Sequence, residues 1–414
     1  MKLLILGGGN AQLSAIRKAK DMGHEVIISD YLEDAPGIKL ADHHELVSTF
    51  DVEANIKVGK KYNIDGIMTI GTDQPVYTAA AVAESLSIPT LLDTETAKAV
   101  TNKKVMKRRF KENNIPTVNY QLIKKDFDFE DIKGINFSAV LKPIDSQGQR
   151  GVFKINSVDE IDKYFSKVVK YSRETEILLE DYYDSDEITV SGWVDKGKLH
   201  ILSITDRVTY EQDVNIGICT AHMFPSEHLD QYHDEVEEIS NKIIKAFDIK
   251  NGPIYFQMLV GEAGIKVNEI ACRIGGAYEA DFMPLITDVD ILKMVINSSL
   301  GKSINKEPLK NYNLLENDNW LSVQLFFAGK GKIKSIRNIE HIKNMPEVID
   351  IRVNYKEEET IPEIENATAR AGYFIVKAKS KRELKNNIKK VYDKLKILNS
   401  KNKNLVLRKA GETL

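Results

Sequence analysis

Pro253-Ile254-Tyr255-Phe256-Gln257-Met258-Leu259-Val260 and Ile265-Lys266-Val267-Asn268-Glu269-Ile270-Ala271 are two apolar runs separated by a short glycine-bearing turn. That pattern specifies a β-hairpin. If the connection is the three-residue loop Glu262-Ala263-Gly264, with Gly264 left-handed, Gln257 lies directly opposite Glu269. Cross-strand partners hold their side chains roughly 5 Å apart on one face, so an amide oxygen and a carboxylate converge there as hard ligands for Mg²⁺ or Mn²⁺. Arg273 follows four residues after Glu269, and Gly275-Gly276 make a turn just beyond. A carboxylate for a metal and a guanidinium for a second anion suit phosphoryl chemistry, because both cations neutralise charge on transferring oxygens. A surface Gln/Glu pair with Arg273 as its ion partner would carry the same letters.

Upstream, Leu3 to Leu6, Glu25 to Ser29 and Ile67 to Ile70 read as strands, with a helical pattern from Leu13 to Met22 and a further short strand at Ser87 to Leu92. Strand-helix-strand alternation predicts a doubly wound parallel sheet, a first domain over residues 1–100. Gly7-Gly8-Gly9-Asn10-Ala11-Gln12 follows the first strand and opens a helix, where backbone N–H groups can meet an anion. Gln12 stands where a dinucleotide fingerprint has its third glycine, while Asp30 falls where a ribose-binding acid would lie. A nicotinamide enzyme and a plain tight turn both stay open on these residues.

Thr101 to Phe110 is helical and basic, with Lys103, Lys104, Lys107, Arg108 and Arg109, and reads as a solvated face until Ile115-Pro116 ends it. Lys142 closes an apolar strand, Ser138 to Lys142, and Ser146-Gln147-Gly148-Gln149-Arg150-Gly151 follows as a glycine-containing loop suited to folding over a phosphate. Ser157 with Glu160 forms a capping box ahead of Ile161, Tyr164, Phe165 and Val168 at helical spacing. Strands are expected at Glu176 to Leu179, Glu187 to Val194 and Leu199 to Ile204, and a helix at Ser240 to Phe247. A last region after Gly301 carries strands Trp320 to Ala328 and Ala371 to Lys379. Its closing helix is capped by Ser380 and Glu383, and the apolar stripe is Leu384, Ile388, Val391, Leu395 and Leu398.

The chain has 414 residues, room for roughly three domains. Lys plus Arg is 58 against 61 Asp plus Glu, so a net charge of −3 supplies no field for nucleic acid or an anionic membrane. No window holds the ~20 apolar residues of a membrane span. The two cysteines cannot frame a disulfide scaffold, and the N-terminus lacks the pattern of a secretion signal. A cytoplasmic protein acting on small molecules is expected.

Taken in order, these features resemble the ATP-grasp superfamily, which includes biotin carboxylase, the carbamoyl phosphate synthetase large subunit and the purine-biosynthetic carboxylase. Asn102-Lys103 ahead of Asn114-Ile115-Pro116, Val140-Leu141-Lys142-Pro143, the hinge Leu178-Leu179-Glu180-Asp181-Tyr182-Tyr183, Gln257 and Asn268-Glu269-Ile270-Ala271-Cys272-Arg273 carry the likeness. It implies an α/β ATP-grasp fold, with a pre-ATP-grasp domain over 1–100, an ATP-grasp domain over 101–300 whose residues 117–182 form a mobile lid, and a C-terminal α+β domain over 301–414. It implies that ATP is held by Lys103, Lys142, Ser146, Gly148 and Gly151, by Glu180, Asp181, Tyr182 and Tyr183 at adenine, and by Glu187 at ribose. Gln257 and Glu269 would bind Mg²⁺ or Mn²⁺, and Arg273 and Lys142 would be catalytic. The second-substrate side would draw on Gly8, Gly9, Asp73, Arg207, Arg273, Gly275, Gly276, Tyr278 and Glu279, with His222 a further candidate. The implied reaction is carboxylate-amine ligation through an acyl phosphate, with bicarbonate as an alternative acid and a nucleotide sensor without turnover as an alternative of another class. Relatives suggest a homodimer. Gln257 replaces a more usual glutamate, and Ala271 a metal-binding asparagine.

Overall fold

A computed structural model describes residues 1–212 and 215–407. Four parallel strands, β1 (Lys2–Leu6), β2 (Glu25–Asp30), β3 (His43–Leu46) and β4 (Gly66–Met68), form the first sheet in the order β3-β2-β1-β4. Leu3 to Leu6 and Val26 to Ile28 are fully buried, the signature of a sheet covered on both faces. The edge strand β3 is polar and only partly buried, so no apolar run announced it. The strand expected at Ser87 to Leu92 is a loop: Ser87 turns left-handed at φ 55° to end the helix Gln74–Leu86, and the Thr90 hydroxyl donates to the Leu92 carbonyl at 2.7 Å.

A second sheet of β5 (Tyr120–Ile123), β6 (Ala139–Pro143), β7 (Phe153–Ile155) and β8 (Ile177–Asp181) runs antiparallel in the order β5-β8-β6-β7. The helix Asp159–Val169 lays Ile161, Tyr164, Phe165 and Val168 against Leu141, Ile155 and Leu179, a core separate from the main one. Ser157 does not cap this helix by its side chain. Instead the Glu160 carboxylate accepts the Asn156 N–H at 2.7 Å, and Val158 occupies the cap position.

The largest sheet among the described residues has eight strands: β9 (Asp186–Asp195), β10 (Lys198–Gln212), β11 (Asn215–Phe224), β12 (Asn251–Gly261), β13 (Gly264–Ala271), β14 (Trp320–Phe326), β17 (Val348–Val353) and β19 (Gly372–Ala378). Their order is β13-β12-β9-β10-β11-β14-β19-β17. Strands from beyond residue 300 therefore extend the same sheet as the hairpin, through β14 on β11. Two small sheets pair β15 (Gly331–Lys332) with β18 (Thr360–Ile361) and β16 (Ser335–Arg337) with β20 (Lys396–Leu398). The helix Lys381–Lys394 buries Leu384, Ile388 and Val391 beside Leu395, and Ser380 caps it by accepting the Glu383 N–H at 3.3 Å.

One face of the large sheet is apolar and one polar. Ile188 and Val190 alternate with Glu187, Thr189 and Ser191 on β9, and the paired residues on β12 and β10 continue the polar face as Tyr255, Gln257, Ser203, Thr205 and Arg207. Period-two alternation of this kind places the polar row toward a cleft rather than the core. No helix among the described residues is long and apolar enough to cross a membrane.

Candidate active site

The hairpin sets Gln257 opposite Glu269, by a route the sequence did not reveal. Gly261 pairs with Gly264, so the turn is only Glu262-Ala263, with Gly264 at φ 83°. A two-residue turn alone would have offset the pair by one residue. Asn268 is the extra residue of a β-bulge, with Val267 paired to Met258 on one side and Glu269 to Gln257 on the other. The bulge restores the register and brings Asn268 to the same site, its Nδ2 3.5 Å from Gln257 Oε1. Bulges re-aim side chains in this way beside active sites.

Three lysines surround this edge. Lys103 Nζ lies 3.3 Å from Glu269 Oε2 and donates to the Ser146 carbonyl at 2.9 Å. Lys142 Nζ donates to Asn268 Oδ1 at 3.0 Å and pairs with Glu180. Lys107 Nζ lies 2.6 Å from the other Glu180 oxygen. Burial alone would raise Glu180, but the ammonium groups of Lys107 and Lys142 outweigh it and hold the carboxyl below its ordinary range. Glu269 is held low in the same way, burial being opposed by Lys103, Lys142 and Arg273.

Lys103, Lys142, Glu180, Asn268 and Glu269 line one cleft. Ser146, Gly148, Glu180, Asp181, Tyr182, Tyr183 and Glu187 all face it, with Gly148 and Gly151 at φ 67° and 73°. Lys154 Nζ stands 3.4 Å over the Tyr182 ring, and the Tyr183 hydroxyl donates to the Gly264 carbonyl at 2.7 Å. Glu187 is paired with Arg207, whose other nitrogen donates to the Gly217 carbonyl at 2.9 Å. Gln147 ties the glycine loop to the first domain: its Oε1 accepts the Asp73 N–H at 2.5 Å.

Arg273 lies on the other side of Glu269, its Nε and Nη2 at 2.8 and 2.6 Å from Asp73 Oδ1 and its guanidinium 4.6 Å from the Tyr255 ring centre. The Gly275-Gly276 turn packs on the first domain, where the Gly71 N–H donates to the Ile274 carbonyl at 3.0 Å. Glu279 folds back so that its carboxylate accepts the Ala277 N–H at 2.8 Å. A Cβ on Gly275 would meet that carboxylate at 2.2 Å. Burial raises Glu279, and Arg273 opposes the rise. Tyr278 stacks on Tyr373 at 3.7 Å.

His222, on the polar face of β11, is buried with its Nδ1 2.9 Å from Thr205 Oγ1 and its Nε2 4.0 Å from Glu279 Oε1. Burial, then Arg207 and Arg370, push it down to about 3. His222 was a sequence candidate, whereas Asn268, Lys107 and Arg370 are groups whose part in the site was not assigned from sequence. Asn268 was hidden by the bulge and Lys107 by its basic neighbours.

Gly8 and Gly9 lie in the turn after β1, and Gly71 borders both that turn, at Ala11, and Gly276. The Gly8 N–H donates to Asp30 at 2.7 Å, Asp30 also accepts the Leu32 N–H at 2.9 Å, and the Gln12 amide donates to the Ile70 carbonyl at 2.6 Å. Asp30 thus braces the turn at Gly8, and the Gln12 side chain ties it to the chain just past β4.

Among the described residues no three His, Cys, Asp or Glu side chains cluster as a metal site. The donors at the hairpin are instead one carboxylate, Glu269, and the amide oxygens of Gln257 and Asn268. Hard oxygens of this kind fit Mg²⁺, which takes few protein ligands and shares phosphate oxygens.

Residues 135–281 match the ATP-grasp domain family, and residues 324–399 match L-amino acid ligase C-terminal domain 2. Residues 135–281 are thus an ATP-grasp domain, and the chain has the ATP-grasp fold. Behind its ATP-grasp domain it carries the C-terminal domain of the L-amino acid ligases. The L-amino acid ligase of Bacillus licheniformis superposes with a TM-score of 0.82 at 19% identity, covering 96% of this chain and 98% of that one. Phosphoribosylglycinamide synthetase of Anaerococcus prevotii gives 0.76 at 18% identity, over 96% and 99%. In sequence, the carbamoyl phosphate synthase large chain of Thermoanaerobacter pseudethanolicus is 26% identical over 160 residues, 38% of this chain and 14% of the relative's length.

Proposed function

We propose that the protein is an ATP-dependent carboxylate-amine ligase that joins amino acids through an acyl phosphate. The observation that carries this is the single cleft on which Lys103, Lys142, Glu269 and the glycine loop converge, with Arg273 immediately beyond Glu269. The matched L-amino acid ligase C-terminal domain supports amino acids as the substrate class.

On this reading Lys103 and Lys142 hold the phosphates of ATP, the backbone of Glu180 to Tyr183 meets adenine, and Ser146 to Gly151 covers the phosphate chain. Glu269 and Gln257, with Asn268 beside them, would hold Mg²⁺, which neutralises charge on the phosphate oxygens. An oxygen of the acid's carboxylate attacks the γ-phosphorus, the bond to the β,γ-bridging oxygen breaks, and ADP departs. The amine nitrogen then adds to the acyl carbon, the carbon–oxygen bond to phosphate breaks, and the amine proton passes to solvent. Arg273 holds the carboxylate and then the oxyanion, a task for a planar fork that binds two oxygens at once. Asp73 holds that fork in place until the acid arrives.

Around the acid end, Glu279 Oε1, His222 Nε2 and Arg370 Nε are buried and lack hydrogen-bond partners. Buried polar atoms without partners cost roughly 1–3 kcal/mol each, so their grouping here suits a substrate that supplies the missing bonds.

The test is ADP release with Mg-ATP across pairs of L-amino acids, with bicarbonate and single amino acids as controls. Release that needs both an acid and an amine, with a dipeptide detected by mass spectrometry, supports the ligase. Release with bicarbonate alone replaces it by a carboxylase, and ATP binding without release under any pair replaces it by a sensor.

A further inference from the structure

Lys107 is the one lysine of this site that points away from solvent altogether. Its side chain is 0% exposed, on the inner face of the helix Lys103–Glu112. Its Nζ donates to Thr117 Oγ1 at 2.7 Å, and that hydroxyl donates to the Val267 carbonyl at 2.8 Å, one residue before the bulge. On its other side it meets Glu180 at 2.6 Å. Glu180 in turn holds Lys142, which faces the cleft. No nucleotide reaches Lys107 directly, because Glu180 stands between.

A carboxylate shared by two ammonium groups binds each less tightly than it would bind one alone. Without Lys107, Glu180 would be neutralised by Lys142 only, in a buried setting where a charge pair is strong. Lys142 would then pay the full cost of leaving that pair for a phosphate. Counting Lys103, Lys107 and Lys142 against Glu180 and Glu269, the floor carries one net positive charge; without Lys107 it would be neutral. A net positive floor is what an anionic phosphate chain requires.

We propose that Lys107 is a positioning residue which neutralises Glu180 from behind and so frees Lys142 for the phosphates of the nucleotide. This rests on the reading of the cleft as an ATP site. Burial pushes Lys107 down to about 8, against the pull of Glu180, with Lys142 opposing and Glu269 favouring its charge. These groups, the Thr117 hydroxyl and the Phe110 ring, 5.9 Å away, face its ammonium. The charge is thus held at neutral pH by Glu180, which makes the two residues one unit.

The experiment is a double-mutant cycle on the full chain, with Mg-ATP and Mg-ADP affinity measured by calorimetry for wild type, Lys107→Met, Glu180→Gln and the double variant, and melting temperature followed in each. In the wild-type background Lys107→Met is expected to weaken nucleotide binding about tenfold, and in the Glu180→Gln background by no more than about twofold, since the anion that would trap Lys142 is gone. An equal loss in both backgrounds overturns the proposal, because a merely structural lysine would not be rescued by removing a carboxylate. No loss in either background overturns it as well. Should Lys107→Met fail to fold, Glu180→Gln alone still decides: affinity held or raised agrees with a released Lys142, and a fall overturns the proposal. If wild type itself binds no Mg-ATP, the reading of the cleft has failed; if wild type binds and the cycle is flat, only the role of Lys107 has.

Discussion

On the proposed reading, the nucleotide side and the acid side of Glu269 follow opposite electrostatic plans. At the phosphate end each charge stands in an ion pair, Lys103 with Glu269 and both Lys107 and Lys142 with Glu180, and Glu180 Oε1 is the one buried atom of these pairs left without a hydrogen bond among the described residues. At the acid end Arg273 is paired with Asp73, but Glu279, His222 and Arg370 each keep a buried polar atom unbonded. A network closed on itself is stable before any ligand arrives and exchanges one partner for another when it does. Unbonded buried atoms carry a standing cost, and their cluster marks where a polar group from outside would be welcomed. The phosphate end is thus built for a ligand of fixed shape, and the acid end for whatever fills its open bonds.

The sharpest way to break this contrast is at the residue between the two ends. Glu269→Ala should lower acid-dependent ADP release by roughly 10²–10³-fold, because one change removes the only carboxylate donor at the hairpin and frees Lys103. Retained substrate-dependent release would remove Glu269 from the chemistry. Arg273→Lys keeps the charge and loses the fork, so kcat should fall on the order of 10²-fold while Mg-ATP affinity is unchanged. Equal losses in both would place Arg273 at the phosphate end and dissolve the distinction.

Much of the phosphate end was legible because its parts are local: a lysine at a strand end, a loop with glycines, a hairpin whose partners can be counted. The acid end is assembled from β10, β11, the Arg273–Glu279 turn and Arg370, segments nearly 170 residues apart, and no spacing rule joins them. The polar alternation of β9 was visible as Glu187-Ile188-Thr189-Val190-Ser191 and could have pointed to a polar face, from which Thr205 and His222 follow only once strand order is known. Lys107 was hidden by its own neighbours. Among six basic residues on one helix, nothing local says which turns inward, yet that one is fully buried. The hairpin shows a subtler gap: the Gln257/Glu269 pairing follows from a three-residue loop, whereas the chain reaches it by a two-residue turn and a bulge.

The pH dependence of stability sharpens the contrast further. Burial, with Arg207 and Arg370, depresses His222 to about 3, below the 6.5 of an unfolded histidine. Between those values the unfolded chain binds a proton that the folded one refuses, so stability is lost as pH falls through that window. Glu279, raised by burial, works in the opposite sense, since the folded state takes up its proton first. His222→Asn should therefore flatten the acid limb of a urea-denaturation series from pH 6.5 toward 4. Parallel limbs for the two proteins would mean that His222 does not resist protonation, and the acid end would lose its orphaned acceptor.

The smallest expected effect concerns the glycines, which the sequence treats alike and the structure does not. Gly275→Ala should destabilise by about 2 kcal/mol, since its Cβ would stand 2.2 Å from the Glu279 carboxylate and overpacking costs roughly 1–3 kcal/mol. Gly9 has an ordinary φ of −73°, and a Cβ there would come no nearer than 3.3 Å, to Gln12 Oε1. Gly9→Ala should cost less than Gly275→Ala, about 0.5 kcal/mol, since its one close contact is 3.3 Å to the end of the Gln12 side chain rather than an overlap. It should also leave KM for both amino acids within about twofold, because the change keeps the Gly8 N–H on Asp30 and adds only a methyl group. A several-fold rise in KM at unchanged melting temperature would show that the turn meets a substrate after all, and would add the glycine turn to Asp73 as the first domain's share of the acid end.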